Sequence, residues 1–195
     1  MESESSEPLV IRESAETTGG AYVRFELTLY PRVSSSEPDF DLSHSRWPID
    51  FPTEHVHLYQ EERWQVLSGK LAVAFGGDEK ILNVGDDVTL PAGVPHRIWN
   101  PSAKPSRVIL EFHPARKAQS LTETLFVLAQ IGKMNENGRL NVLQFAVIQA
   151  AHPDHIYLTV MPVYVQKFLI TLLAPIGRRL GYRPVYSLDS LNSSP

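Results

Sequence analysis

Three histidines and a carboxylate stand at metal-ligand spacing in two short stretches, HVHLYQEERWQVLSG from His55 to Gly69 and GDDVTLPAGVPHRIWN from Gly85 to Asn100. His55 and His57 are two apart, so on a strand both imidazoles leave the same face. Glu62 opens the next apolar run, and His96 opens a further one after a Pro/Gly turn. Imidazoles combined with a carboxylate suit a divalent cation. Ligands on neighbouring strands converge only if the sheet curls and turns them into one cavity, so the pattern predicts a small β-barrel with a metal inside. Such a ligand set leaves positions open for water, dioxygen or a substrate oxygen.

The two stretches resemble the paired motifs of the cupins, G(X)5HXH(X)3-4E(X)6G and G(X)5PXG(X)2H(X)3N. The second is matched throughout by Gly85, Pro91, Gly93, His96 and Asn100. The first is matched at His55, His57, Glu62 and Gly69, while Ile49 stands where its leading glycine belongs. The resemblance covers roughly residues 20 to 115. It implies a mainly β fold, the cupin jelly-roll or double-stranded β-helix barrel, here with a helical C-terminal extension. His55, His57, Glu62 and His96 would hold iron(II) or manganese ahead of zinc, nickel or cobalt. The implied function is metal-dependent chemistry on a small organic molecule. First comes an oxygenase-like oxidoreductase, as in cupin-domain proteins of bacterial genomes and fungal secondary-metabolite clusters that handle aromatic or polyketide intermediates. The alternatives are a non-redox isomerase, dehydratase or cyclase, and a non-catalytic small-ligand-binding cupin. Cupin barrels often pair through their outer strands, so a homodimer is expected.

Glu61 competes with Glu62 for the carboxylate position. Counting back from Ser68-Gly69 places Glu62, Trp64 and Val66 on one strand face, which selects Glu62 and leaves Glu61 in solvent. Glu111 and His113 share a face of a later strand, and Glu111 is the second candidate for proton transfer beside Glu62. Tyr59, Trp64 and Trp99 are candidates to line the cavity, and Asn100 to tie backbone at a strand end. His44 in a long loop, and His152 and His155 around Pro153-Asp154, are expected to be solvated.

The elements that position these residues follow along the chain. Residues 1–19, rich in Ser, Glu and Thr, are expected to be a mobile lead-in, and residues 20–115 the barrel. Val23, Phe25, Leu27 and Leu29 alternate with polar residues as in a half-buried strand. Residues 31–51 are expected to be a long loop near the barrel mouth, with Phe40 and Trp47 anchoring it or else covering a ligand. Ser68-Gly69 is expected to be a tight hairpin turn, and Leu90-Pro91-Ala92-Gly93 a type I turn. Gly76-Gly77-Asp78 and Gly85-Asp86 separate further strands, and RVILEFH at 107–113 closes the barrel. Residues 116–182 carry apolar residues at helical spacing, with a stop at Gly132 and a last run from Ile156 to Leu180, before a tail at 183–195. These helices should pack on the barrel or on a second copy; Pro162, Gln166, Lys167 and Pro175 argue against a membrane span, leaving only interfacial contact.

Composition narrows the rest. The 195 residues suffice for one barrel and an appendage, and the net charge of −4 without a basic stripe argues against nucleic acid. Cysteine is absent, which removes disulfides and thiol chemistry. The acidic MESESSEP start is unlike a signal peptide, so a cytoplasmic location is expected.

Overall fold

Alternating apolar and polar side chains build two antiparallel sheets that face each other across a shared core. The computed structural model describes residues 8–31, 54–135, 139–153 and 155–192. Its strands are β1 (Leu9–Glu13), β2 (Val23–Leu29), β3 (His55–Val56), β4 (Glu61–Ser68), β5 (Leu71–Phe75), β6 (Asp78–Leu82), β7 (Asp87–Leu90), β8 (His96–Trp99), β9 (Ser106–His113) and β10 (Tyr157–Leu158). The helices are α1 (Ala118–Gln130), α2 (Val142–Ala151), α3 (Val163–Arg179) and α4 (Asp189–Asn192). One sheet runs β1-β2-β9-β4-β7 and the other β10-β3-β8-β5-β6. Phe25, Leu27, Trp64 and Leu110 of the first meet Leu71, Val73 and Ile98 of the second in the core. This is the jelly-roll arrangement with a helical extension that the sequence predicts.

β4 shows how period-two patterning decides direction. Glu62, Trp64 and Val66 are buried while Glu61, Arg63 and Gln65 are exposed. β2 behaves as expected too, with Val23, Phe25, Leu27 and Leu29 all buried. Its opposite face carries Glu26, also buried, which accepts from Arg12 Nε at 2.8 Å and from Arg107 Nε at 3.1 Å.

Four local expectations are corrected. Within the lead-in, Leu9–Glu13 is strand β1, paired with β2, and Leu9 joins the core. A five-residue strand flanked by polar residues is too short to announce itself by alternation. Ser68-Gly69 is not a hairpin, because β4 pairs with β7 and β9 whereas β5 pairs with β6 and β8. The chain crosses there from one sheet to the other, helped by a register shift between Val66 and Ser68. The turn after β7 lies one residue later than expected: Val94 N–H donates to Pro91 at 3.3 Å, and Gly93 has φ of 78°, the type II signature. Finally, the apolar run from Ile156 begins as β10, which adds to the barrel by pairing Tyr157 with Val56 and Leu158 with His55.

The extension packs on the barrel as expected. Leu121, Phe126 and Leu128 of α1 and Ile148 of α2 enter the core, and α1 ends at Gln130, two residues before Gly132 with its φ of 68°. α3 lies on α2, where Gly177 permits close approach: a Cβ there would fall 2.6 Å from Val147 Cγ2 and 2.9 Å from the Leu143 carbonyl. No helix among the described residues is long and apolar enough to cross a membrane.

The crossover at Gly69 makes a measurable demand. Its φ is 77°, and an added Cβ would lie 2.4 Å from Ser106 Oγ and 2.9 Å from Ser106 Cα. Gly77→Ala, with φ of 90° and open space around it, costs only the left-handed backbone penalty of ~1 kcal/mol. Gly69→Ala should add about 1–3 kcal/mol for displacing Ser106. Urea midpoints of the two variants test this, and equal midpoints would refute it.

Candidate metal centre

His55 and His96 face each other across the β3–β8 pairing, with ring centroids 4.4 Å apart. His57 follows β3 and is pinned from behind, since Gly93 N–H donates to its carbonyl at 2.8 Å. The turn of the second motif thus clamps the backbone of the first. Glu62 enters from the opposite sheet, on β4 between Leu90 of β7 and Phe112 of β9. All four are buried, and one ligand atom from each lies within 4.8 Å of the others. Glu61 is exposed, as expected for the rejected carboxylate.

Hydrogen bonds on the far side of the rings aim the ligand atoms. His96 Nδ1 donates to the Val94 carbonyl at 2.9 Å, and His57 Nδ1 to the His155 carbonyl at 2.6 Å. A carbonyl can only accept, so both imidazoles carry a proton on Nδ1 and turn Nε2 inward as the atom available to a metal. Glu62 Oε2 lies 2.7 Å from His96 Nε2 and 3.6 Å from His57 Nε2. The 2.7 Å approach is not aligned as a hydrogen bond, and both atoms are buried without a hydrogen-bond partner. A carboxylate oxygen and an imidazole nitrogen, orphaned side by side, are what a cation beside them would satisfy once Nε2 is deprotonated. The residues therefore fit a divalent ion.

The electrostatics agree. Burial alone would push the Glu62 carboxyl up, but His57 and His96, with His55 behind them, outweigh it and hold it at about 2. Burial pushes the His57 imidazole down, against the pull of Glu62. His96 is held above its ordinary value, because Glu62 overcomes the burial that would lower it. Glu62 is thus a carboxylate ligand and His57 a neutral one.

The second catalytic candidate is elsewhere. Leu110 and Phe112 of β9 line the cavity, so by alternation Glu111 faces the other way. It accepts from Arg24 Nε at 2.6 Å and lies 2.9 Å from His113 Nε2. Burial raises its carboxyl, yet His113 and Arg24 together hold it below the usual range. Glu111, ion-paired with Arg24 and beside His113, belongs to a cluster on the outer face of the sheet and is not a proton carrier for the centre. Trp64 does line the cavity, whereas Tyr59 is exposed beneath Arg116 and Trp99 lies under Arg97. Asn100 ties backbone as expected, donating to the Leu29 carbonyl at 2.9 Å and the Lys104 carbonyl at 2.8 Å. Phe40, His44 and Trp47 lie outside the described residues.

His152 and His155, expected in solvent, are buried. His155 lines the cavity, its ring centroid 4.8 Å from that of His57 and 5.0 Å from that of Phe112. Its Nδ1 donates to Gln60 Oε1 at 2.6 Å, and Gln60 Nε2 donates onward to the carbonyls of Pro114 at 2.8 Å and Ala115 at 3.1 Å. Burial pushes the His155 imidazole well down, and His57 and His152 push it the same way, so it stays neutral. Leu121, Leu125 and Ile156 join it as cavity wall. The extension therefore closes the centre. Local spacing carries no signal for this, because Gln60 and His155 meet across 95 positions. The cavity, about 40 Å³ and not fully enclosed, has room for an ion and a water molecule that a substrate oxygen would displace.

Residues 48–112 match the family model described as Cupin domain. An oxidoreductase of Arthrobotrys oligospora is 37% identical over 71 residues, 35% of this chain but only 28% of that protein. The match thus spans little more than a quarter of the curated relative. Among solved structures, a Cupin 2 conserved barrel domain protein from Salinispora arenicola has a TM-score of 0.37 at 18% identity, covering 54% of this chain and 73% of its own. KdgF from a Halomonas species has a TM-score of 0.42 at 17% identity, with 57% and 81% covered.

Chelator competition reads the site directly. His57→Ala and His96→Ala should no longer retain a divalent ion, and Glu62→Ala should weaken binding more than Glu61→Ala. Gln60→Ala, which touches no ligand atom, should cost about 10–100-fold in affinity by releasing His155 and with it the acceptor of His57. Undiminished metal content in His96→Ala would refute the centre, and an unaffected Gln60→Ala would refute its outer support.

Proposed function

We propose that this chain, a member of the cupin superfamily, is a metal-dependent oxidoreductase acting on a small organic molecule that presents an oxygen donor, such as an enol or phenol. The observation that carries the reading is the pair of orphaned, buried atoms, Glu62 Oε2 and His96 Nε2, aimed at one point beside the His55 and His57 imidazoles. A divalent ion held there supplies Lewis acidity and, if redox-active, electron transfer.

The protein's own groups do the rest. Glu62 stays ionised through the physiological range and brings the negative charge that offsets a dication. His57 and His96 are held in one tautomer by carbonyl acceptors, so the ligand geometry exists before anything binds. Phe112, Leu121, Leu125 and Ile156 wall the cavity with hydrocarbon and exclude bulk water. Trp64 lines the same wall, and its Nε1 is buried without a partner. Nicotinamide and flavin fingerprints are absent from the sequence, so electrons would pass between the ion, the substrate and an external acceptor such as dioxygen.

Two observations favour oxidation over proton transfer. Glu111 faces away, so among the described residues the cavity holds no carboxylate beyond the ligand Glu62. The Arthrobotrys oligospora protein, 37% identical over 71 residues, is named an oxidoreductase, which supports the same reading.

The test is oxygen uptake. Protein loaded with iron(II) or manganese should consume dioxygen when given an electron-rich enol or phenol, and zinc-loaded protein should not. Full turnover without oxygen, or equal turnover with zinc, would replace oxidation by proton transfer at the same centre.

A further inference from the structure

The solvent side of α3 is built the wrong way round for a helix that faces water. Tyr164, Phe168, Leu172 and Ile176, spaced by one helical turn, are 75%, 63%, 52% and 50% exposed. Met161, Leu169 and Leu180 extend the same surface, while the polar Gln166 is buried against β10. The opposite face, with Ala174 and Gly177, is spent on α2. An apolar stripe four turns long is more than the scattered exposed residues of an ordinary surface.

The chain segment that carries it has one sign of charge. From His155 to Leu188 there are four cations, Lys167, Arg178, Arg179 and Arg183, and no carboxylate, in a chain whose net charge is −4. Among the described residues Lys167, Arg178 and Arg179 have no carboxylate partner. Lys167 and Arg178 also line one groove between α2 and α3, of about 450 Å³, with Tyr157 and Thr171. Lys167 Nζ sits 5.6 Å over the Tyr157 ring, held towards that groove.

We propose that α3 lies flat on an anionic lipid surface, its Tyr164–Ile176 stripe in the headgroup boundary and Lys167, Arg178 and Arg179 on lipid phosphates. The chemistry matches an interfacial helix, apolar on one side and with only cations among its own charged residues. Charge selects this occupant over a second copy of the chain. Two-fold pairing of α3 with itself would bring its own charges, all cations, together, which opposes association. An anionic membrane supplies the missing negative charge along the whole helix. The contact is peripheral, since α3 is too short and too interrupted to span.

Flotation with vesicles decides it, using the full chain. The protein should float with phosphatidylcholine vesicles that contain phosphatidylserine and remain behind with phosphatidylcholine alone. Lys167→Gln, Arg178→Gln and Arg179→Gln should each weaken partition about fivefold, and added salt should weaken it further. Phe168→Glu should abolish flotation while leaving the thermal melt unchanged, because the side chain is exposed. Failure to float with the acidic vesicles would overturn the proposal, as would equal binding to neutral ones or retention by Phe168→Glu. A dimer in light scattering that Phe168→Glu splits, with no vesicle binding, would assign the stripe to a second copy instead.

Discussion

Everything in this fold answers to the cost of burying Glu62 among three imidazoles. A carboxylate withdrawn from water is expensive unless charge or hydrogen bonds replace its hydration. Here the replacement comes from His57 and His96, strong enough to reverse the effect of burial on its protonation. The price of that arrangement is geometric: ligands from two different sheets must reach one point. The sheets therefore have to face each other, the chain has to cross between them at Gly69, and β3 has to be held beside β8.

Much of this was legible because the signal is local. His55, His57, Glu62 and His96 sit at fixed spacings, and period-two alternation alone separates Glu62 from Glu61. The same alternation argued well for β2 and led astray at β9, where Glu111 and His113 share a face but not the face that looks inward. Which side of a strand is the inside depends on the partner sheet, and a single strand does not contain that information. The Ser68-Gly69 crossover misled for a related reason. A glycine with positive φ serves a hairpin or a corner equally well, and only long-range pairing distinguishes them.

The histidines of the extension show the limit most clearly. His152 and His155 flank Pro153 in a polar connection, a context that reads as surface. Both are buried because α2 and β10 fold that connection against the barrel, and His152 Nδ1 donates to the Ile148 carbonyl at 2.8 Å. Tertiary packing overrides local composition here, as it does where β10 takes the start of an apolar run that looked helical throughout.

The hydrogen-bonded chain from Pro114 and Ala115 through Gln60 and His155 to His57 has a meaning for how such a protein can change over evolutionary time. Its members come from the barrel's first motif, from the residues just after its last strand, and from the far side of two helices. A recombination break placed after the last barrel strand would look harmless on paper, since the motif residues all lie upstream. It would nevertheless part His57 from its carbonyl and Gln60 from its imidazole. The two halves of this chain keep the support of His57 only when they are inherited or exchanged as a matched pair.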